Sequence, residues 1–98
     1  MSVAWTIEAE QDRFEVWGYI AADDIDAAIH MDQLFTAAAD RLAEHPMMGA
    51  PGRIPGTREL VIHDNHRLVY EVEEDDVRVL ALVHAARKWP LGGRVSTR

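Results

Sequence analysis

The sequence predicts an α+β fold: a two-helix hairpin packed on a small, mainly antiparallel four-stranded sheet, in the order β-α-α-β-β-β. Three observations predict it. Residues 25–44 carry a clear helical repeat; three short β-like runs follow between residues 58 and 84; and a Pro/Gly-rich stretch separates the two regions.

The elements follow in order. "VAWTI" (3–7) alternates Val3, Trp5 and Ile7 against Ala4 and Thr6, as a short strand does. From Glu8 to about Ala22 the alternation stops, and Glu8, Glu10 and Asp12 suit a helix N-terminus. Gly18 weakens the last turn of that helix. "AADDID" gives a break and a restart, with Asp23 or Asp24 as N-cap. In the second helix Ala28, Met31, Phe35, Ala38 and Leu42 recur at intervals of three and four, while Asp32, Thr36 and Asp40 point away, and Pro46 ends it. "PMMGAPGRIPGT" (46–57) has three prolines and three glycines and reads as a loop. "RELVIH" (58–63), "HRLVYEV" (66–72) and "VRVLALVH" (77–84) read as an antiparallel meander closed by "DN" and "EEDD". The helices then cover one sheet face and leave the other free.

The 98 residues suffice for one domain, 1–98, with a polar tail at 91–98. No apolar run approaches membrane-spanning length, and no basic segment followed by an apolar run marks a secretory signal. The chain has no cysteine, which excludes disulfides and thiol catalysis and fits a cytoplasmic location. The net charge of −7 argues against a simple nucleic-acid binder, yet it is unevenly spread. Residues 1–45 hold ten acids against Arg13 and Arg41, whereas residues 46–98 hold eight basic side chains against seven acids. Five of those seven (Glu71, Glu73, Glu74, Asp75, Asp76) lie in or beside one turn, where a solvated hairpin explains them better than a cation site.

Within "HRLVYEV", Leu68, Tyr70 and Val72 form the better core set, which puts Arg67 on the free face. A guanidinium there is either a solvated strand residue paired with Glu59 or Glu71, or a rigid fork placed to grip an anion. "HDNH" (63–66) sets His63 and His66 three apart across a turn, without a third ligand, so no metal is expected. No cofactor motif is present either.

The order of elements, together with "YIA", "RLAEHPMMGAPGRIPGTREL", "HRLVYEV" and "VLALVHAARKWP", resembles the RelE/ParE superfamily over about residues 3–90. These are toxins of type II toxin–antitoxin modules, also called plasmid stabilisation proteins. Arg13 and Trp17 depart from the small or aliphatic residues expected in the first helix. RelE-like members cut messenger RNA in the ribosomal decoding site, whereas ParE-like members poison DNA gyrase and do no chemistry of their own.

Metal-independent RNA cleavage uses the ribose 2′-hydroxyl. It needs cations at the phosphate and a proton acceptor and donor at the two oxygens. The resemblance places Arg67 at the strand arginine of the ribonuclease members and Arg87 at their second arginine. Arg58 falls where RelE proper has the first lysine of a basic pair, although the partner position, Leu60, is not basic. For the row to work, Arg58 and Arg67 must face the same side of adjacent strands. The tyrosine RelE proper carries beyond the second arginine is replaced by Gly93, which leaves His84 as the best titrating group. Lys88 can contact phosphate and Trp89 can stack on a base. Each has a plainer reading too: Arg58 as a surface residue, Arg87 and Lys88 as solubilising charges, His84 as a hydrogen-bonded strand end.

The resemblance also implies a cognate antitoxin that adds a strand or covers the helices. Phe14 and Trp17, three apart on the first helix, form a candidate docking patch. The competing arrangement buries both and exposes Val16 and Ile20. On the sequence, the cationic row favours a ribosome-dependent mRNA endoribonuclease, acting on ribosome and mRNA. The alternative is a ParE-like inhibitor of DNA gyrase, with a non-toxic antitoxin binder as a third.

Overall fold

Two short polar side chains decide where the helices begin. In the computed structural model, which describes residues 1–63 and 66–84, Thr6 stays extended and its hydroxyl accepts the Ala9 amide. Strand β1 is therefore Ser2–Trp5, shorter than the alternation suggests, and helix α1 spans Ile7–Ala21, running through Gly18. Asp24 caps helix α2, Ile25–Glu44, by accepting the Ala27 amide at 3.1 Å. His45 closes that helix just before Pro46, which biases its predecessor away from helical backbone.

Beyond α2 the described residues form β2 (Ala50–Pro51), β3 (Arg58–His63), β4 (His66–Glu73) and β5 (Asp76–His84). Among the described residues the sheet has five strands in the order β1-β5-β4-β3-β2 rather than the four expected, because β2 forms inside the Pro/Gly-rich stretch and pairs with β3. β3, β4 and β5 make the expected antiparallel meander, and β1 joins the far side of β5 in parallel.

The core lies between the helices and one sheet face. Ala9, Phe35, Ala38 and Leu42 meet Leu60, Leu68, Tyr70, Val77, Val79 and Leu82, with Met31 and Val72 partly buried at its margin. In β5 the pairing shifts between Val69 and Tyr70 of β4, which face Ala81 and Val79, so Leu80 is an extra residue. The bulge turns Leu82 to the helix side and leaves Ala81 and Val83 on the other.

The helix layer explains Arg13. Its Nε donates to Asp32 Oδ1 at 2.6 Å, its Nη2 reaches the Asp32 carbonyl and Thr36 Oγ1, and its guanidinium lies 4.7 Å from the Trp5 ring centre. Asp32 and Thr36 thus face α1, where sequence periodicity pointed them outward. A charge between helices is tolerable because every contact is a charge-assisted bond or a ring face. No helix among the described residues is long and apolar enough to cross a membrane.

Candidate functional site

Strand register assigns each functional candidate to a face. Residues directly opposite on paired strands share a face, and neighbours along a strand alternate. Arg67 pairs with Val61 and Val83, and Glu59 pairs with Val69, so all these residues lie on the face away from the helices. Arg67 therefore sits where the alternation predicts.

That face is already furnished. Val69, Ala81 and Val83 are buried on it, and Ile54 from the 52–57 loop packs against them. The loop is a tight turn, with Gly52 N donating to the Thr57 carbonyl at 2.8 Å and Thr57 N to the Ile54 carbonyl at 3.0 Å. Gly52 is required by proximity, since a Cβ there would meet Thr57 Oγ1 and Oε2 of Glu59. Glu59 clasps this loop: its Oε2 accepts the Arg53 amide at 3.2 Å. Its Oε1 lies 3.4 Å from Arg67 Nε, close enough for an ion pair but without a hydrogen bond. The two side chains are 23% and 12% exposed, so the pair is largely withdrawn from water. Arg78, the second arginine on this face, pairs with Glu71 at 3.1 Å and with Glu73 at 3.8 Å. Of the two partners considered for Arg67, Glu59 is the one it takes.

Arg58 corrects the expectation of a shared row. It pairs with Tyr70, which lies with Leu68 on the helix side, so Arg58 and Arg67 point to opposite faces. Its Nη1 donates to the Gly49 carbonyl at 2.6 Å and to the Met47 carbonyl at 3.3 Å. Tyr70 completes the same anchor: its hydroxyl accepts the Gly49 amide at 2.9 Å and donates to the Pro46 carbonyl at 2.8 Å. Burial pushes the Tyr70 phenol above its usual value of 10.0, against smaller lowering from the Gly49 bond and the Arg58 charge.

His84 is likewise on the helix side. It pairs with His66, their ring centres are 5.2 Å apart, and His66 in turn meets Phe35 of α2 edge-on. His63 pairs with His66 from the other flank, so three imidazoles cross one end of the sheet. Burial, then the neighbouring His84 and His63, lowers the His66 pKa below 6.5, and its buried Nδ1 has no hydrogen-bond partner. No group of three or more His, Cys, Asp or Glu side chains among the described residues is placed to hold a metal. Arg58 and His84 share a face, but their β4 partners Tyr70 and His66 are four steps apart along the strand (about 13 Å at a strand's rise). Arg67, Arg58 and His84 thus do not converge on one point. Arg87, Lys88, Trp89 and Gly93 lie outside the described residues.

On α1, Phe14 is 75% exposed, Trp17 is half-buried, and Val16 packs against the core. The helix phase therefore favours the arrangement with Phe14 outside. Tyr19, Ile25 and Ile29 are also exposed on the helix layer, a set the sequence reading did not single out. The described cavities lie elsewhere: a shallow groove of about 290 Å³ between β1 and α2, lined by Val3, Trp5, Arg13 and Ala39 among others, and one at the acidic turn 73–76.

Comparison with known proteins is consistent across sequence and structure. A family model described as "ParE toxin of type II toxin-antitoxin system, parDE" matches residues 3–89. A Sinorhizobium fredii (strain NBRC 101917 / NGR234) protein described as "Putative toxin Y4kP" is 40% identical over 88 residues, covering 90% of this chain and 92% of its own length. Among solved structures, the chromosomal ParDE TA system from P. aeruginosa superposes with a TM-score of 0.74 at 20% identity, over 86% of this chain and 95% of that one. A YoeB/ParE toxin from Agrobacterium tumefaciens gives 0.62 at 18% identity, over 86% and 98%. The YoeB dimer from Staphylococcus aureus gives 0.58 at 16% identity, over 85% and 94%. At these identities the structural likenesses speak for the fold.

Proposed function

Because the chain belongs to the ParE toxin family of type II toxin–antitoxin systems, we propose that it acts as a ParE-like toxin: it binds and inhibits DNA gyrase without cutting RNA. This reverses the mechanistic preference drawn from the cationic row. The observation that carries it is the dispersal of that row. Arg67 is paired with Glu59, Arg58 is turned to the other face and bonded to loop carbonyls, and His84 faces the helix side beside His66.

Phosphodiester cleavage needs a proton acceptor, a proton donor and a charge stabiliser within hydrogen-bond reach of one phosphorus. The described members of the proposed set lie on two faces of a sheet, which puts a layer of backbone between them. A binding module has no such requirement, since its surface acts through shape and charge. The family match supports the same reading.

The partner we propose is a cognate antitoxin that covers the helix layer. Phe14, Tyr19 and Ile25 are more than half exposed there, and Trp17 lies in the same helix. Large apolar side chains on a small domain are suited to a helical or extended partner segment.

Two reactions run on one preparation test the reading. Gyrase supercoiling of relaxed plasmid is inhibited by the purified chain, and cell-free translation with primer extension shows intact messenger. Cleavage within the ribosome-bound codon, lost in Arg67→Ala, would sink the proposal and restore the ribonuclease.

A further inference from the structure

The arginine that a nuclease would aim at phosphate is present on the second sheet face, but it is already in use. We infer that Glu59 occupies an anion site built by Arg67 and the Arg53 amide, and thereby bars nucleic-acid phosphates from that face. This rests on the reading of the chain as a toxin that does not cut RNA, and it names the residue that decides it.

The site has the components of an oxyanion cradle. Arg67 comes from β4 and the Arg53 amide from the 52–57 loop, and they converge on the two oxygens of one carboxylate, at 3.4 and 3.2 Å. Both side chains of the ion pair are mostly withdrawn from water, which strengthens their attraction relative to an exposed pair. Ile54 on Val69, Ala81 and Val83 fixes the loop in place, so the amide is a positioned donor. The exposed Arg53 side chain adds a second cation on that loop.

The internal ligand fits imperfectly, and register explains why. Glu59 lies directly opposite Val69 and only diagonal to Arg67, so the carboxylate reaches the guanidinium from the side. Arg67 Nε is buried and still lacks a hydrogen bond. A free phosphate, with oxygens in tetrahedral array and no tether to β3, can align with that fork. Glu59 thus satisfies the charge without satisfying the donor geometry. This is the arrangement expected of an occupant that excludes a better-fitting ligand.

The test is fluorescence anisotropy of a short, end-labelled single-stranded RNA titrated with the purified chain at low salt. Four proteins are compared: wild type, Glu59→Gln, Glu59→Gln/Arg67→Ala, and Glu73→Gln. Glu73 is a 61% exposed acid on the same face, and its replacement changes net charge by the same amount. Glu59→Gln binds about tenfold or more tightly than wild type, the double variant loses that gain, and Glu73→Gln does not share it. The inference is overturned if Glu59→Gln gains nothing, if Glu73→Gln gains as much, or if the gain survives Arg67→Ala. Should Glu59→Gln be too unstable for titration, thermal melts replace it. Inorganic phosphate then raises the Tm of Glu59→Gln and leaves that of the double variant unmoved, and equal shifts overturn the inference. Messenger cleavage by wild type would sink the underlying reading, whereas a Glu59→Gln chain that gains nothing sinks this inference alone.

Discussion

Replacing Tyr70 by phenylalanine removes one oxygen from the centre of the molecule and leaves two backbone groups without partners. The ring is fully buried, and its hydroxyl joins the Gly49 amide and the Pro46 carbonyl, which ties the start of the 46–57 segment to β4. Losing the bond to the partly buried Pro46 carbonyl costs about 1 kcal/mol, because water can replace some of it. The Gly49 bond is buried, so its stranded N–H bears the larger penalty of about 1–3 kcal/mol. The sum, about 2–4 kcal/mol, is a large part of the ~5–15 kcal/mol that holds a small domain folded. For a chain of this size it lowers Tm by roughly 10–25 °C. Urea unfolding followed by circular dichroism measures it directly, with the slope of the transition unchanged. Tyr19→Phe is the control, since Tyr19 is 84% exposed and should stay within about 0.5 kcal/mol of wild type. A Tyr70→Phe loss no larger than the control's would refute the anchoring role. Alkali gives an independent check. Above 10.0 the unfolded phenol loses a proton that the folded one keeps, so stability falls as pH rises past that value, and Tyr70→Phe removes this loss.

Three further outcomes follow from packing and charge. Because the His66 pKa is depressed below 6.5, the unfolded chain takes up a proton that the folded chain resists, so stability is fully present above that value and falls as pH drops below it. His66→Phe flattens the slope in Tm measured against pH. Phe35→Ala, at a side chain 1% exposed in the middle of the core, costs about 3–5 kcal/mol in urea unfolding. Arg13→Ala costs about 1–2 kcal/mol after allowing for partial exposure, and Arg13→Lys recovers little of it, because an ammonium cannot serve Asp32 and Thr36 from one rigid plane while lying over Trp5.

The helices and the meander were legible because their signals are local. Ala28, Phe35, Ala38 and Leu42 repeat with helical period, and Leu68 and Tyr70 alternate without interruption through β4. The alternation also assigned Arg67 to the correct face and offered Glu59 as one of two partners. Relations between strands were harder to read. Whether Arg58 shares a face with Arg67 depends on the register of β3 against β4, which no spacing within either strand encodes. The bulge at Leu80 is similarly silent: Val77, Val79, Ala81 and Val83 look like one face, yet the first two are under the helices and the last two are not. β2 was hidden because two residues beside Pro51 resemble a loop until β3 pairs with them. Arg13 looked out of place in α1 because its partners, Asp32 and Thr36, lie on a different helix. Arg67 lies on the face that the alternation gave it. What sequence did not supply was that the carboxylate paired with it is also held by the Arg53 amide of the 52–57 loop.

The parallel pairing of β1 with β5 has a consequence for how the protein comes into being. Val3 lies beside Val77, and Thr6 at the head of α1 bonds to the Val79 carbonyl through both its amide and its hydroxyl. Asp12, further along α1, accepts the Leu82 amide. β1 and α1 are thus fastened to β5, the last strand among the described residues, which also sits between β1 and β4. During synthesis β1 and α1 must wait until β5 has left the ribosome, and contacts of such sequence separation form slowly. A polypeptide interrupted before Asp76 has no β5 to complete it, so prematurely terminated translation yields no assembled toxin.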